Sequence, residues 1–315
     1  MLLNDWIIIL IAFVGIWIGA TLAVKPIDEI AKKLNSSSFI VSFFILGLFT
    51  SLTEVSVAYN SFIEDRLEIS VGNLLGGSLV LLMFVIPLLG MLAKGIHLSN
   101  GFGVRNTFLC ILFLLVPHIF LLDNVLSLQE SWSMFVMYVI LALFLYFGDK
   151  ASAKKVRNKR KIAKLHHSKV ALALSFVTVG SIILIFSSNI LVEGIDKIGS
   201  SINLSPFILA LIGLSIGTNL PEISLVIIAA IKGRSEIGFG NYLGSALFNP
   251  LIMSVLGLVS GGIVLDANFT KLLIFSVLGF ILFFIFMRSR SFLSQKESAI
   301  LLSIYVVFVI SELAF

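Results

Sequence analysis

Long runs without charged side chains recur along the whole chain and predict membrane-spanning helices. A helix needs about 20 apolar residues to cross the hydrocarbon core of a bilayer. Ten runs suit such helices, two of them interrupted by a single glutamate and the last two being the shortest: residues 6–24, 34–63, 69–93, 106–122, 131–148, 170–192, 198–231, 237–265, 272–287 and 298–311. The pattern predicts an all-α polytopic membrane protein with ten transmembrane helices.

The amino-acid composition also indicates a membrane protein. Of 315 residues, 58% are apolar and 12% are charged, against about 45–50% and about 25% in soluble globular proteins. These proportions exclude a soluble globular enzyme and a disordered chain. Strands of an outer-membrane barrel would alternate polar and apolar residues, so the long apolar runs exclude that class too.

The basic residues predict the orientation in the membrane. With the N-terminus outside and ten alternating spans, 19 of the 22 lysines and arginines fall in inner loops, and the exceptions are Arg66, Lys197 and Lys271. Short cytoplasmic loops carry such an excess. We therefore expect both termini outside, a plasma (inner) membrane location, and cytoplasmic basic loops. This distribution also argues against a nucleic-acid partner, despite the net charge of +5.

One polar, basic segment divides the chain into two halves of five helices each. Residues 149–169 are interpreted as a cytosolic connector between a first repeat, 1–148, and a second, 170–315. A regulatory or lipid-binding loop is the alternative. Because five is odd, the second half is inverted relative to the first, as in many secondary transporters, whose substrate site lies near the midplane.

Sequence symmetry supports the inverted repeat at an offset of 168 residues. Residues 50–54 read TSLTE and align with residues 218–222, TNLPE; residues 72–76 read GNLLG and align with residues 240–244, GNYLG. The repeats span about 37–93 and 205–262. The matched residues are mostly polar or glycine, which are rare types in this chain.

Two acidic residues lie inside predicted spans, and they are repeat partners. The other 15 of the 17 acidic residues fall in loops or at helix ends, whereas Glu54 and Glu222 do not. A charged side chain at mid-bilayer costs at least about 2.5–3.5 kcal/mol without compensation. A bound cation or protons would relieve both the burial and the mutual repulsion. Polar contacts between helices, or permanently protonated carboxyls, are the alternatives.

Helical spacing places oxygen-bearing side chains beside each carboxylate. Thr50 and Ser51 lie four and three residues before Glu54, and Thr218 and Asn219 have the same spacing to Glu222.

In the second repeat, Pro221 lacks an N–H and clashes with the carbonyl of Gly217, which frees backbone oxygens near Glu222. Thr53 holds that position in the first repeat, so we expect a milder break there.

The glycine–asparagine motifs supply further candidate ligands. Asn73 and Asn241 can orient a carboxylate, and Ser245 and Asn249 present two more oxygens at i and i+4; the glycines also permit close helix packing. All these groups are hard oxygen donors, of which Ca²⁺ takes about six to eight. The four histidines are interpreted as structural.

These motifs resemble the paired α-repeats of the cation/Ca²⁺ antiporter superfamily, which includes the Na⁺/Ca²⁺ exchangers. The family pattern is GTSLPE, then GNxxGS, then Asn or Asp four residues after that serine. The resemblance implies alternating access, in which helices one and six slide against the other eight. It also implies that Glu54 and Glu222 are central ligands, flanked by the oxygens of Thr50, Thr218, Ser51, Asn219, Ser245 and Asn249.

The first repeat departs from this pattern at two ligand positions. Gly77 stands where the family has a hydroxyl, and Leu81 where it has an amide. Ser78 lies about 100° further round the helix, so we do not expect it to substitute. At least one monovalent-ion position is therefore in doubt.

Several functions stay open at this point. We expect a Ca²⁺ antiporter coupled to Na⁺, with no cofactor and no obligate protein partner. An H⁺-coupled or other-cation antiporter and a non-transporting descendant of the same fold are alternatives. An intramembrane enzyme is disfavoured, because the sequence contains no HExxH motif and no phosphate-binding glycine loop.

Overall fold

A computed structural model describes residues 2–33, 47–97, 104–153, 167–202, 204–220, 222–223, 238–290 and 292–314. Pro221 and most of the predicted connector, at 154–166, lie outside these ranges. The described residues form an all-α protein with four two-residue strands.

The helices follow the apolar runs. In chain order they are α1 (Leu2–Lys33), α2 (Gly47–Thr50), α3 (Leu52–Ile63), α4 (Leu67–Leu92), α5 (Val104–Phe120), α6 (Leu128–Ala153), α7 (His167–Ile202), α8 (Pro206–Thr218), α9 (Gly238–Val259), α10 (Thr270–Arg290) and α11 (Gln295–Ala314). The backbone is π-helical over Val80–Val85 within α4 and over Ala210–Leu214 within α8.

Seven helices within the described ranges are long and apolar enough to cross a membrane: Leu67–Leu92, Val104–Asp123, Leu128–Phe147, Ser175–Ile202, Tyr242–Val259, Thr270–Arg288 and Gln295–Ala314. Two shorter apolar helical segments, Trp6–Leu22 and Pro206–Thr218, accompany them. The protein is therefore a multi-pass membrane protein, and both short C-terminal runs are parts of helices of spanning length.

One predicted span boundary is wrong. The sequence suggested a break at 193–197, where Glu193, Asp196 and Lys197 interrupt the apolar pattern, but α7 continues to Ile202. The charged side chains are accommodated because they are paired at the surface: Arg66 binds Asp196 at 3.1 Å, and Lys197 lies 3.6 Å from Glu193.

Two separate hydrophobic clusters build the interior. The smaller one joins α1 and α7 through residues such as Ile9, Ile16, Leu184 and Leu191, and it also includes residues of α3, α4 and α8. The larger one joins α4, α5, α6, α8, α9, α10 and α11. Small residues allow α1 and α7 to approach closely: a Cβ on Gly19 would lie 2.9 Å from the carbonyl oxygen of Gly180. The α1–α7 pair is therefore closely packed and joins the rest of the protein through α3, α4 and α8.

The two strand pairs reflect the two-fold relation between the two halves of the chain. β1 (Ile96–His97) pairs with β4 (Phe292–Leu293), and β2 (Val125–Leu126) pairs with β3 (Ile263–Val264), all antiparallel. Each half thus contributes one strand to each pair. Gly95 and Gly262, which precede β1 and β3, have φ of 110° and 109°, and they are equivalent at an offset of 167, one residue fewer than the motifs.

Candidate functional site

Both carboxylate-bearing helices are interrupted at the same place. Ser51 separates α2 from α3 with φ −80° and ψ 9°, and Asn219 ends α8 with φ −91° and ψ 10°. These residues are repeat partners, and each lies three positions before its glutamate. The break in the first repeat occurs without a proline. A milder break was expected there than in the second repeat, but the backbone angles of Ser51 and Asn219 are alike.

Glu54 and Glu222 are the buried carboxylates at the two breaks. The two residues are 3% and 1% exposed, respectively. Thr53 donates a hydrogen bond of 2.6 Å to Oε2 of Glu54. Glu222 Oε2 has no hydrogen-bond partner among the described residues.

The threonines contact the opposite repeat. The hydroxyls of Thr50 and Ser245 lie 2.6 Å apart. The symmetric contact would join Thr218 to position 77, but Gly77 has no hydroxyl. Thr218 instead lies 3.1 Å from Oδ1 of Asn73, one turn earlier on α4. The two halves of the site are therefore chemically different.

The amides of Asn219 and Asn249 are buried beside Gly77. Asn219 Nδ2 donates to the carbonyl of Ser215 at 2.8 Å, and Asn249 Nδ2 donates to Oγ of Ser78 at 3.3 Å. A Cβ on Gly77 would lie 2.9 Å from Asn249 Nδ2 and 3.5 Å from Asn219 Nδ2. Ser78, which was not expected to replace a ligand, instead accepts a hydrogen bond from Asn249.

Unpartnered polar atoms concentrate at these residues. Of eleven buried side-chain atoms without a hydrogen-bond partner in the described part of the chain, five belong to predicted site residues: Ser51 Oγ, Asn73 Nδ2, Asn219 Oδ1, Glu222 Oε2 and Asn249 Oδ1. A buried polar atom without a partner costs about 1–3 kcal/mol. Four of the five are oxygens, so they could act as ligands of a hard cation.

The sequence also predicted Gly217 and Asn241 as supporting residues of the site. Gly217 faces α1, because a Cβ there would fall on the ring of Phe13. The side chain of Asn241 lies outside what the structure describes. Within the described ranges, His, Cys, Asp and Glu do not form groups of three or more that could hold a metal ion.

Three residues outside the predicted ligand set support the site: Thr53, which was considered only for the helix break, Ser78, which was not expected to substitute for a ligand, and Ser215. Ser215 lies one turn before Asn219, a spacing that could have indicated it. The signal for Thr53 was adjacency to Glu54. Nothing local indicated Ser78, because its partner Asn249 is 171 residues away.

Comparison with known proteins places these features in a family. The profile of the family described as sodium/calcium exchanger protein matches residues 4–147 and 172–313. The CaxA protein of Alkalimonas amylolytica is 29% identical over 267 residues, which is 82% of this chain and 83% of that protein. The inner membrane protein YrbG of Escherichia coli K12 is 22% identical over 252 residues, 76% and 77% of the respective chains.

Solved structures share the fold. The sodium-calcium exchanger NCX_Mj superposes with a TM-score of 0.67 at 19% identity, with 99% of both chains covered. The H⁺/Ca²⁺ exchanger CAX superposes with a TM-score of 0.73 at 13% identity, covering 98% of this chain and 87% of that one.

Proposed function

The chain belongs to the sodium/calcium exchanger protein family, and on that premise we propose that it moves Ca²⁺ across the membrane in exchange for Na⁺. As a member of a transporter family, it is a membrane transporter rather than an enzyme. The ion site in this proposal lies near the midplane and is built on Glu54 and Glu222. Two carboxylates balance either one Ca²⁺ or two monovalent cations, which makes the two loads mutually exclusive.

One observation carries the proposal: four buried oxygens, one of Glu222 itself and three of Ser51, Asn219 and Asn249, have no hydrogen-bond partner among the described residues. Thr50, Thr218 and Ser245 add hydroxyl oxygens beside them. Oxygen donors of this kind suit Ca²⁺ and Na⁺ rather than softer metals. A purely structural role would leave these atoms buried without compensation.

Alternating access is supported by the close packing of α1 and α7 against each other. Their hydrophobic cluster reaches the other helices through a few residues of α3, α4 and α8, such as Val57, Ile69 and Leu214. Phe13 of α1 touches Gly217, five residues before Glu222, so movement of α1 would change the surroundings of the site. We place this machinery in ten spans with both termini outside, in the inner membrane, with the basic connector in the cytoplasm.

Proton coupling is the second candidate. Gly77 and Leu81 remove two oxygen-bearing side chains from the first repeat, which favours fewer monovalent ions or protons as the counter-load. CAX, named as an H⁺/Ca²⁺ exchanger, shares this fold with a TM-score of 0.73. Another transported cation and a non-transporting descendant would both give no Ca²⁺ uptake under any gradient.

The deciding experiment is Ca²⁺ flux into liposomes that contain the purified full chain. Gradients of Na⁺, K⁺ and H⁺ are imposed in turn, with the membrane potential clamped. We expect a Na⁺ gradient to drive Ca²⁺ uptake above that of protein-free liposomes. Uptake driven by H⁺ alone would replace Na⁺ with protons in the proposal, and the absence of Ca²⁺ uptake under every gradient would overturn it.

A further inference from the structure

The two repeats differ at the equivalent positions Gly77 and Ser245. Ser245 contacts Thr50 through its hydroxyl at 2.6 Å. On the other side of the site, Gly77 leaves a space that two amide groups of the second repeat approach. The Nδ2 atoms of Asn249 and Asn219 lie 2.9 Å and 3.5 Å from the position that a Cβ on Gly77 would take.

The partners of these amides fix which way each one points. Asn219 lies 2.8 Å from a backbone carbonyl, that of Ser215, which can only accept a hydrogen bond. The amide nitrogen must therefore face that carbonyl. Its Oδ1 is buried and has no partner in the described part of the chain.

Asn249 is oriented by Ser78 in the same manner. The hydroxyl of Ser78 lies near two carbonyl acceptors, Leu74 O at 3.2 Å and Ala246 O at 3.5 Å. Its single proton is directed to those carbonyls, so its lone pairs accept from Asn249 Nδ2 at 3.3 Å. The Oδ1 of Asn249 is likewise buried without a partner in the described ranges.

We propose that Gly77 and Ser78 set the Ca²⁺ affinity of this site by positioning the amide of Asn249: Gly77 leaves room for its Nδ2, Ser78 accepts from it, and its oxygen is turned towards the ion. The amide of Asn219, which Ser215 of α8 orients, adds a second oxygen. This inference rests on the proposed function and names residues that act through those amides. N–H groups cannot ligate a cation, so the space beside Gly77 is closed to a monovalent ion. The amide oxygens then supplement Glu222 on the side of the second repeat.

Two positioning variants test this arrangement, each with a matched control. Gly77→Ala places a methyl against Asn249 Nδ2, and Ser78→Ala removes the acceptor that orients Asn249. Gly213→Ala is the first control, because a Cβ there meets nothing within 4 Å. Ser70→Ala is the second, because Ser70 is a buried hydroxyl on the same helix without a partner in the described residues.

The readout is the KM for Ca²⁺ and the maximal rate in liposomes, together with the Ca²⁺ concentration that half-maximally raises the melting temperature. We expect both positioning variants to raise the KM and the half-maximal concentration at least fivefold, with a maximal rate within twofold of wild type. Both controls should stay within twofold throughout. Ser78→Thr, which keeps the hydroxyl, should lie closer to wild type than Ser78→Ala.

Two outcomes separate this inference from the proposed function. If wild-type flux is present and Gly77→Ala and Ser78→Ala both behave like their controls, the orientation argument is overturned and the exchanger proposal stands. If wild type shows no flux, the exchanger proposal fails, and the melting-temperature titration with Ca²⁺ alone decides the inference by the same comparison.

Discussion

Thr50 and Ser245 are 195 residues apart in the chain, yet their hydroxyl oxygens lie 2.6 Å apart in the buried centre of the protein. Thr50 lies one helical turn before Glu54, and Ser245 lies one turn before Asn249. Each repeat therefore supplies one partner of a contact that holds α2 against α9. At the equivalent place on the other side of the site, Thr218 contacts Asn73 instead, because Gly77 has no hydroxyl.

The contact between Thr50 and Ser245 should contribute measurable coupling energy. We expect the free energy of unfolding to show about 1 kcal/mol of coupling in a double-mutant cycle of Thr50→Val and Ser245→Ala, the size of one buried hydrogen bond. Unfolding in mixed micelles measures it. Thr50→Val combined with Ser303→Ala is the control, since the hydroxyl of Ser303, on an exposed face of α11, donates to Ala299 O one turn earlier; that pair should be additive. Additivity of the first pair would contradict the contact.

Neutralising the buried carboxylates should stop Ca²⁺ transport. Glu222→Gln should reduce uptake to the level of protein-free liposomes, and Glu54→Gln nearly so, because each change removes one of two charges that balance Ca²⁺. Initial rates of uptake measure this. Glu64→Gln, an exposed position at the end of α3, should leave the rate within twofold of wild type. Normal uptake by either buried variant would refute the assignment of the site.

A methyl group added at Gly217 should crowd Phe13 and slow the movement that we propose for α1. A methyl group there falls on the ring of Phe13, and such overpacking costs about 1–3 kcal/mol. We expect Gly217→Ala to lower both the melting temperature and the transport rate, and the additional change Phe13→Leu to restore part of each. Gly213→Ala on the same helix, which meets open space, should change neither. Failure of Phe13→Leu to restore either quantity would argue against this contact.

An amide at position 81 should change monovalent-ion dependence. Leu81 is 1% exposed, so Leu81→Asn costs about 1–3 kcal/mol of stability if the amide finds no partner. We nevertheless expect it to alter the Na⁺ concentration dependence of Ca²⁺ flux, because the position corresponds to a family ligand. Leu79→Asn, on the same helix and equally buried, should destabilise without that change. Identical Na⁺ dependence in both variants and wild type would count against a ligand position at 81.

The helical, membrane-spanning architecture follows from the apolar runs of the sequence. The apolar runs predicted helices because a bilayer demands intrahelical hydrogen bonding of the whole backbone. That constraint explains why the all-α membrane fold was predictable, whereas the family membership was predictable from the repeated glutamate and glycine–asparagine motifs. The boundary near residue 193 was misjudged, because charges at a helix end can pair at the surface and let the helix continue.

The pairing of Glu54 with Glu222 was suggested by sequence, since rare polar residues repeated at a constant offset are informative in an apolar chain. Their oxygen-bearing neighbours one turn away followed from helical geometry alone. Those inferences used regular helical spacing over a single turn, although the structure interrupts both helices within that turn, at Ser51 and Asn219. They did not depend on how the helices pack.

Contacts between helices were decided by the tertiary structure. Ser78 faces Asn249, Gly77 makes room for two amides, and Thr218 turns to Asn73. Each of these depends on the distance and rotation between α4 and helices of the other repeat, which the periodicity of one helix does not encode. The sequence by itself therefore determined which residues are candidates, and helix packing determined which atoms of those residues meet.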